Sequence, residues 1–331
     1  MRLLVLTNNP RRPSFRQRIE LYIDLLRASG IEAEVARLPG PVLERARTIR
    51  RCAAYDAVFL HKKKLNLFEL LLLKRYCRKL IYDFDDAVMY KPSAPNRRSF
   101  SPLVRFALTV RQADLVIAGN RYLAGQARKY NPNVEILPTG LDLGEYRTRT
   151  SAPATADRPV RLVWIGSRST LRYLAELRPA LDEIGSRFDN VVLRIISDRF
   201  LELQRMPVEK CPWSYRTQFT DLATADIGLA PLPDNPFTRG KCGFKILQYA
   251  AAGLPVVASA VGVNCDYVQQ NVTGLFASEA AQWVDAISRL VRDPAERIRL
   301  GRAARESVEK FDLKVIGQRL AELLLRCAEG P

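Results

Sequence analysis

The richest chemistry in this 331-residue chain lies in Arg239-Gly240-Lys241-Cys242-Gly243-Phe244-Lys245, followed by the apolar helical text Ile246 to Ala252 and a stop at Gly253. A basic, glycine-containing loop that opens a helix can hold a diphosphate. The helix start offers free N–H groups and the positive end of the helix dipole. Gly240 and Gly243 let backbone approach phosphate oxygens closely, and Arg239, Lys241 and Lys245 add full charges. A solvated basic loop capping a core helix has the same composition. A second cluster, Asp83-Phe84-Asp85-Asp86, follows a short apolar run. Carboxylates placed there can orient or deprotonate an acceptor hydroxyl, bind Mg²⁺ or Mn²⁺, or cap the next helix. The one histidine, His61, heads His61-Lys62-Lys63-Lys64 at the end of another apolar run, where a structural or a catalytic role is open.

The elements that must carry these residues alternate. Leu3–Leu6, Ile31–Ala36, Ala57–Leu60, Leu80–Tyr82, Leu115–Ala118 and Val134–Leu137 read as strands, and Arg18–Ser29 as a helix stopped by Gly30. Continuous apolar runs suit parallel strands covered on both faces. Arg147 to Pro159 has no periodicity and is rich in small and breaker residues, as a linker is. The alternation then restarts: strands at Val160–Ile165, Val191–Ile196, Ile227–Ala230 and Pro255–Ala258, with helices at Leu171–Ile184, Phe244–Ala252, Pro294–Phe311 and Leu313–Cys327. The fold class is α/β, with two doubly wound domains facing a cleft and ligands beyond the carboxyl ends of the strands. The expected division is 1–150, 151–311 and a terminal helix, 312–331, returning toward the first domain.

Composition narrows the function. Hydrophobic residues make up 47% and charged residues 26%, a globular balance, and no apolar run is long enough to cross a bilayer. Six scattered cysteines without a C-x-x-C pair argue for reduced thiols and against a zinc site. The N-terminal apolar run lacks the length of a signal peptide, so a cytoplasmic location is expected. Residues 1–150 hold 28 Lys and Arg against 14 Asp and Glu, so they carry most of the net +17. That excess asks for an anionic partner. Leu67, Phe68, Leu71, Leu72 and Tyr76 beside Lys74, Arg75, Arg78 and Lys79, and Phe100, Leu103, Val104 and Phe106 beside Arg97, Arg98, Arg105 and Arg111, suit an anionic membrane surface. Helices that merely cover the first sheet would also show an apolar face. Aromatics are not interleaved with the basic runs as nucleic-acid binding would need, so no nucleic acid is expected.

The segment from Arg239 to Ser259 resembles the signature of the group 1 glycosyltransferases, glycosyltransferase family 4 of the GT-B fold. Trp164-Ile165-Gly166-Ser167 with Thr170 and Leu174, Asp226-Ile227-Gly228-Leu229-Ala230-Pro231, Gly262 with Asp266, and Val272-Thr273-Gly274-Leu275-Phe276 are similar to that family's donor domain. Ala118-Gly119-Asn120 and Ile136 to Asp142 resemble the end of its acceptor domain. The resemblance implies a retaining transfer of a sugar from a nucleotide diphosphate sugar, as co-substrate, to an acceptor hydroxyl on a lipid-linked or cell-surface glycan. No tightly bound cofactor or metal is implied. On this reading Gly166, Ser167, Arg168, Arg239, Lys241, Gly243, Phe244 and Lys245 hold the diphosphate, and Lys245 is catalytic. Gln248 holds ribose, and Trp213, in a loop from Pro207 to Tyr215, lies near the base. Asp85 or Asp86 orients the acceptor, with Arg16, Arg18 and Asn120 on the acceptor side.

Several positions depart from the family pattern. Gly240 and Gln248 stand where the signature has glutamates, leaving Asp234 or Asn235 as substitutes for the first. Pro10 to Arg16 replaces paired glycines, and Arg168 alone represents the usual basic pair after Gly166. The alternatives are a catalytically degenerate homologue acting as a binding protein and a metal-dependent GT-A-like transferase using Asp83, Asp85 and Asp86.

Overall fold

The computed structural model describes residues 1–91, 93–98, 100–147 and 158–330. Most of the expected linker, 148–157, lies outside the described residues, as does the boundary expected at 150. The chain forms two compact units. The first comprises Met1–Leu141, Asn235–Cys242 and Phe311–Pro331; the second comprises Asp142–Asp234 and Gly243–Lys310.

The first unit contains β1 (Arg2–Thr7), β2 (Glu32–Arg37), β3 (Ala57–His61), β4 (Leu80–Phe84), a small antiparallel pair β5 (Tyr90–Lys91) and β6 (Ala94–Arg98), β7 (Leu115–Ala118) and β8 (Val134–Ile136). Its main sheet is wholly parallel, ordered β2-β1-β3-β4-β7-β8. Successive side chains leave a strand on opposite faces, and the two cores divide accordingly. Leu4, Leu6, Val58, Leu60, Tyr82 and Phe84 pack with Leu70, Leu73, Phe106 and Val110 on one face. On the other, Leu3, Val5, Phe59 and Ile81 pack with Phe15, Ile19, Tyr22 and Leu26 and with Ile316, Leu320 and Leu324 of the terminal helix Leu313–Glu329.

The second unit repeats the plan with β9 (Val160–Ile165), β10 (Val191–Ser197), β11 (Val208–Pro212), β12 (Ile227–Ala230), β13 (Val256–Ala258) and β14 (Gly274–Phe276). They form a parallel sheet ordered β11-β10-β9-β12-β13-β14. Both sheets reverse their order beside the first strand, at β1/β3 and β9/β12, where ligands of doubly wound sheets gather.

Some expected elements change. The helix from Arg18 to Ser29 is three pieces, Pro13–Arg18, a 3₁₀ turn Glu20–Tyr22 and Ile23–Ala28, broken where Ile19 leaves helical geometry at φ −137°. Leu171–Ile184 is two helices, Arg168–Ala175 and Arg178–Arg187, the second opened by Pro179. The segment Pro207–Tyr215 is not simply a loop, because it contains edge strand β11. Phe106, expected on a lipid-facing surface, is fully buried in the sheet core.

One helix contact is unusually close. A Cβ on Gly301, in the helix Pro294–Ser307, would run into the Gly253 carbonyl oxygen. Backbone cannot yield as a side chain does, so Gly301→Ala should destabilise the second unit by about 1–3 kcal/mol. A denaturation midpoint unchanged by the substitution would refute that packing.

Candidate functional site

In the first unit the chemistry gathers at the carboxyl ends of β3 and β4, whose register pairs His61 with Asp83. Asp83 is fully buried. Arg18 reaches it through Nη2, and also through Nε at 3.4 Å, while donating Nη1 to the Leu137 carbonyl at 2.7 Å. His61 Nδ1 lies 2.9 Å from the other side of the carboxylate. Burial alone would raise the Asp83 carboxyl; the Arg18 charge, with His61's hydrogen bond, overrides this and holds it at about 2. Arg18, expected on the acceptor side, is therefore a buried counter-ion, only 4% exposed. Arg16 is partly exposed and bonds Glu20 at 3.3 Å.

Two residues on, the pattern repeats. Lys62, in left-handed geometry at φ 56°, sets its ammonium against Asp85 and 2.6 Å from Asp86 Oδ2. Lys241 Nζ takes Asp86 Oδ1 at 3.1 Å and lies 4.6 Å from the Phe237 ring centroid. Burial would raise the Asp86 carboxyl, but the charges of Lys62 and Lys241 pull it down to about 2. So low a value makes Asp86 a poor proton acceptor near neutrality; its strength is as a fixed charge. The metal alternative fits poorly, because all three carboxylates are engaged by cationic side chains, and among the described residues no His, Cys, Asp and Glu group is arranged for a metal.

Lys241 corrects the reading of the signature. The stretch splits after Cys242: Asn235–Cys242 belongs to the first unit, where Lys241 is paired with Asp86, and the helix Phe244–Ala251 belongs to the second. Asn120 caps the helix Arg121–Ala127 and donates Nδ2 to the Lys241 carbonyl at 3.1 Å. Gly119 is required next to it, since a Cβ there would stand 2.9 Å from the Asp85 Cα. Gly240 is enclosed, and a Cβ would meet that of Ala87 at 2.5 Å, so no glutamate fits this position as it stands. Asn235 does not replace it, because its Oδ1 accepts from the Phe237 and Thr238 amides. Arg239 is exposed, on the turn Thr238–Gly240.

In the second unit, the Asp226-Ile227-Gly228 strand has a clear local logic. Asp226 receives both ends of the Arg158 guanidinium, at 2.9 and 3.0 Å, and the Arg161 amide at 2.9 Å. Gly228 leaves room for the Tyr249 ring, whose hydroxyl accepts from Ile165 N at 3.1 Å and donates to Leu229 O at 3.0 Å. The signature helix is thereby tied to β9 and β12. Gly243 precedes that helix at φ 63°. Trp164 joins two expected parts of the diphosphate grip: Lys245 Nζ lies 4.7 Å from its ring centroid, and a Cβ on Gly166 would stand 2.6 Å from the ring. Ser167 and Arg168 open the next helix exposed. The Arg168 amide, however, is already bonded to Asp198 Oδ1 at 2.7 Å, and that bond is the main influence lowering the Asp198 pKa. One turn beyond Lys245, Gln248 is buried and donates to Gln218 Oε1 at 3.2 Å. The Trp213 indole donates to the same oxygen at 3.3 Å. Asp198 and Gln218 are unmarked in the sequence, and Lys62 is noted only as part of a basic run, because nothing local distinguishes them from surface residues.

Residues 150–293 match the family described as Glycosyl transferases group 1. A Mycobacterium tuberculosis protein named GDP-mannose-dependent alpha-(1-6)-phosphatidylinositol monomannoside mannosyltransferase is 30% identical over 217 residues. Over residues 150–293, which are less than half of the chain, the sequence is similar to the group 1 glycosyltransferases. The aligned part is 58% of this chain and 56% of the mycobacterial protein, so the chain spans about half the length of that relative. Among solved structures, Anabaena HepE in complex with UDP superposes with a TM-score of 0.74 at 18% identity, covering 98% of this chain and 100% of that one. A sucrose-phosphate synthase from Thermosynechococcus elongatus gives 0.73 at 16% identity, covering 98% of both chains. The fold is GT-B, as the family's motifs imply.

The depressed carboxyls fix a pH dependence. Asp83 and Asp86 titrate below their ordinary 3.8 in the folded chain, so the native state binds fewer protons than the unfolded state between about pH 4 and pH 2. The stability they add is complete above pH 4 and is lost as pH falls through 2. Asp83→Asn should flatten this acid limb of the melting temperature, and a wild-type slope in that variant would overturn the ion-pair account.

Proposed function

We propose that the protein is a retaining glycosyltransferase that moves a sugar from a nucleoside diphosphate sugar to a hydroxyl of a lipid-linked or cell-surface glycan. The observation that carries the reading is the face of the helix Phe244–Ala251. Lys245 and Gln248 are three residues apart and so share one face. Lys245 stands over Trp164, beside the loop after β9, and Gln248 stands in the amide and indole cluster of Gln218 and Trp213. That face offers a cation to a diphosphate at the first and an amide to a ribose at the second. The names of the similar proteins, one GDP-mannose-dependent and one bound to UDP, agree with a nucleotide-sugar donor.

On this reading the second unit holds the donor. The leaving diphosphate gains charge in the transition state, and Lys245, Arg168 and the helix start at Phe244 meet it. Gly243, in its left-handed geometry, lets the chain turn sharply into that helix. Asp85 and Asp86, fixed by Lys62, supply negative charge on the acceptor side, with Asn120 and Arg16 near the same strand ends. Lys241 acts through Asp86 rather than by direct grip of phosphate. Lys245→Ala should lower kcat/KM for the sugar donor by about 100-fold, the order seen when one transition-state charge partner is removed. Circular dichroism should be unchanged; near-normal turnover would remove the diphosphate assignment.

An anionic membrane surface remains part of the proposal, with the cytoplasmic face as its place. Leu67, Phe68 and Leu71 are exposed at the start of the helix Leu67–Tyr76. The helices Val42–Arg50 and Phe100–Gln112 pack on either side of it and expose Val42, Leu43, Phe100 and Val104. Lys74, Arg75 and Arg105 accompany this apolar rim, and each cation near an anionic surface contributes about 1 kcal/mol. No helix among the described residues is long and apolar enough to cross a membrane. The full chain should co-sediment with phosphatidylglycerol vesicles and not with phosphatidylcholine vesicles. Replacing Leu67, Phe68 and Leu71 by Glu should abolish this, and undiminished sedimentation would rule the rim out.

A further inference from the structure

We propose that Gln218 is a positioning residue for nucleotide binding: its side-chain carbonyl takes an N–H of Gln248 and thereby turns the Gln248 carbonyl toward the ribose hydroxyls. The inference rests on the assignment of Gln248 to ribose.

An amide side chain has one accepting and one donating end, and its two orientations have nearly the same shape, so the surroundings must choose between them. Gln218 is 4% exposed, and its orientation is fixed twice. Its Nε2 donates to the Tyr215 carbonyl at 3.3 Å, a group that can only accept. Its Oε1 receives the Trp213 indole N–H at 3.3 Å, a group that can only donate. Reversal would set acceptor against acceptor at one end and donor against donor at the other. With Gln218 Oε1 fixed, the atom of Gln248 that faces it at 3.2 Å must be an N–H donor. The Gln248 carbonyl therefore lies at the opposite end of its amide.

Tyr146 lies beside the same amide. Burial pushes its phenol far above the ordinary range, while a hydrogen bond with Gln248 pulls it down. A glutamate at position 248 would need no such arrangement, because its two oxygens are equivalent. A glutamine there keeps an acceptor for ribose only if a neighbour holds the amide, and Gln218 does so.

The test compares UDP and GDP with their 2′,3′-dideoxy counterparts by calorimetric titration of the full chain. Wild type should favour the ribose form of the nucleotide it binds by roughly tenfold, the range of one or two hydrogen bonds. Gln218→Met should reduce that preference to less than about threefold. The double variant Gln218→Met with Gln248→Glu should regain it, since a carboxylate accepts at either end. Gln218→Glu alone should keep the preference, because a carboxylate still accepts the Gln248 N–H and the Trp213 indole; this arm stands even where Gln218→Met fails to fold. Full preference in Gln218→Met, equal weakening of both ligands by it, or a lost preference in Gln218→Glu would each overturn the positioning role alone. Wild type that binds neither nucleotide, or binds without ribose preference, would overturn the ribose assignment and this inference with it.

Discussion

Three carboxylates within four residues, at the end of a buried strand, can coexist only if each is matched by a cation. Removing a single charge from water costs several kcal/mol, and an unmatched one would shift its titration or unfold its surroundings. The chain answers with Arg18 from the first helix, Lys62 from the end of β3 and Lys241 from a segment far along the sequence. Each cation is brought from a different part of the chain, so the ion pairs also hold those parts in place. The stretch Asn235–Cys242 sits in the first unit on these terms, with Lys241 on Asp86, Asn120 on the Lys241 carbonyl, and Gly240 too close to Ala87 for any side chain.

The second unit positions its chemistry by different means. Hydroxyl, amide and indole groups tie its signature helix to the sheet and to the neighbouring segments. Tyr249 links the amide of Ile165 to the carbonyl of Leu229, and the glycine at 228 exists to admit its ring. With the helix so fixed to the sheet, Lys245 and Gln248 are held at a set separation along one face. Neutral hydrogen bonds of this kind give direction more than strength, which suits a site that must tell one end of a ligand from the other.

The fold was largely legible because strands covered on both faces are written as continuous apolar runs, and those from Leu3 to Ala258 stand out. The edge strand β11 did not, since Val208-Glu209-Lys210-Cys211-Pro212 alternates charge with solvent contact and ends in proline. The break at Ile19 was hidden because the apolar spacing continues across it. The site was legible where a motif carries its own local geometry, as with Gly243 ahead of the signature helix. It was misread where the decisive partner is remote. Arg18 and Lys241 look alike in sequence to any surface cation, and only the fold shows that each neutralises an aspartate 65 or 155 positions away. Gln218 is silent for the same reason, since an amide's role depends on what fixes its two ends.

The composition of the first unit has a consequence for how the chain acquires its shape. The helix Leu313–Glu329 covers part of the first sheet, where Ile316, Leu320 and Leu324 meet Phe15, Tyr22 and Leu26. During synthesis the strands of that sheet therefore present an uncovered apolar face until the helix Leu313–Glu329, far later in the chain, has emerged. The lobe that holds them is completed only then, and chaperone engagement should be longest there.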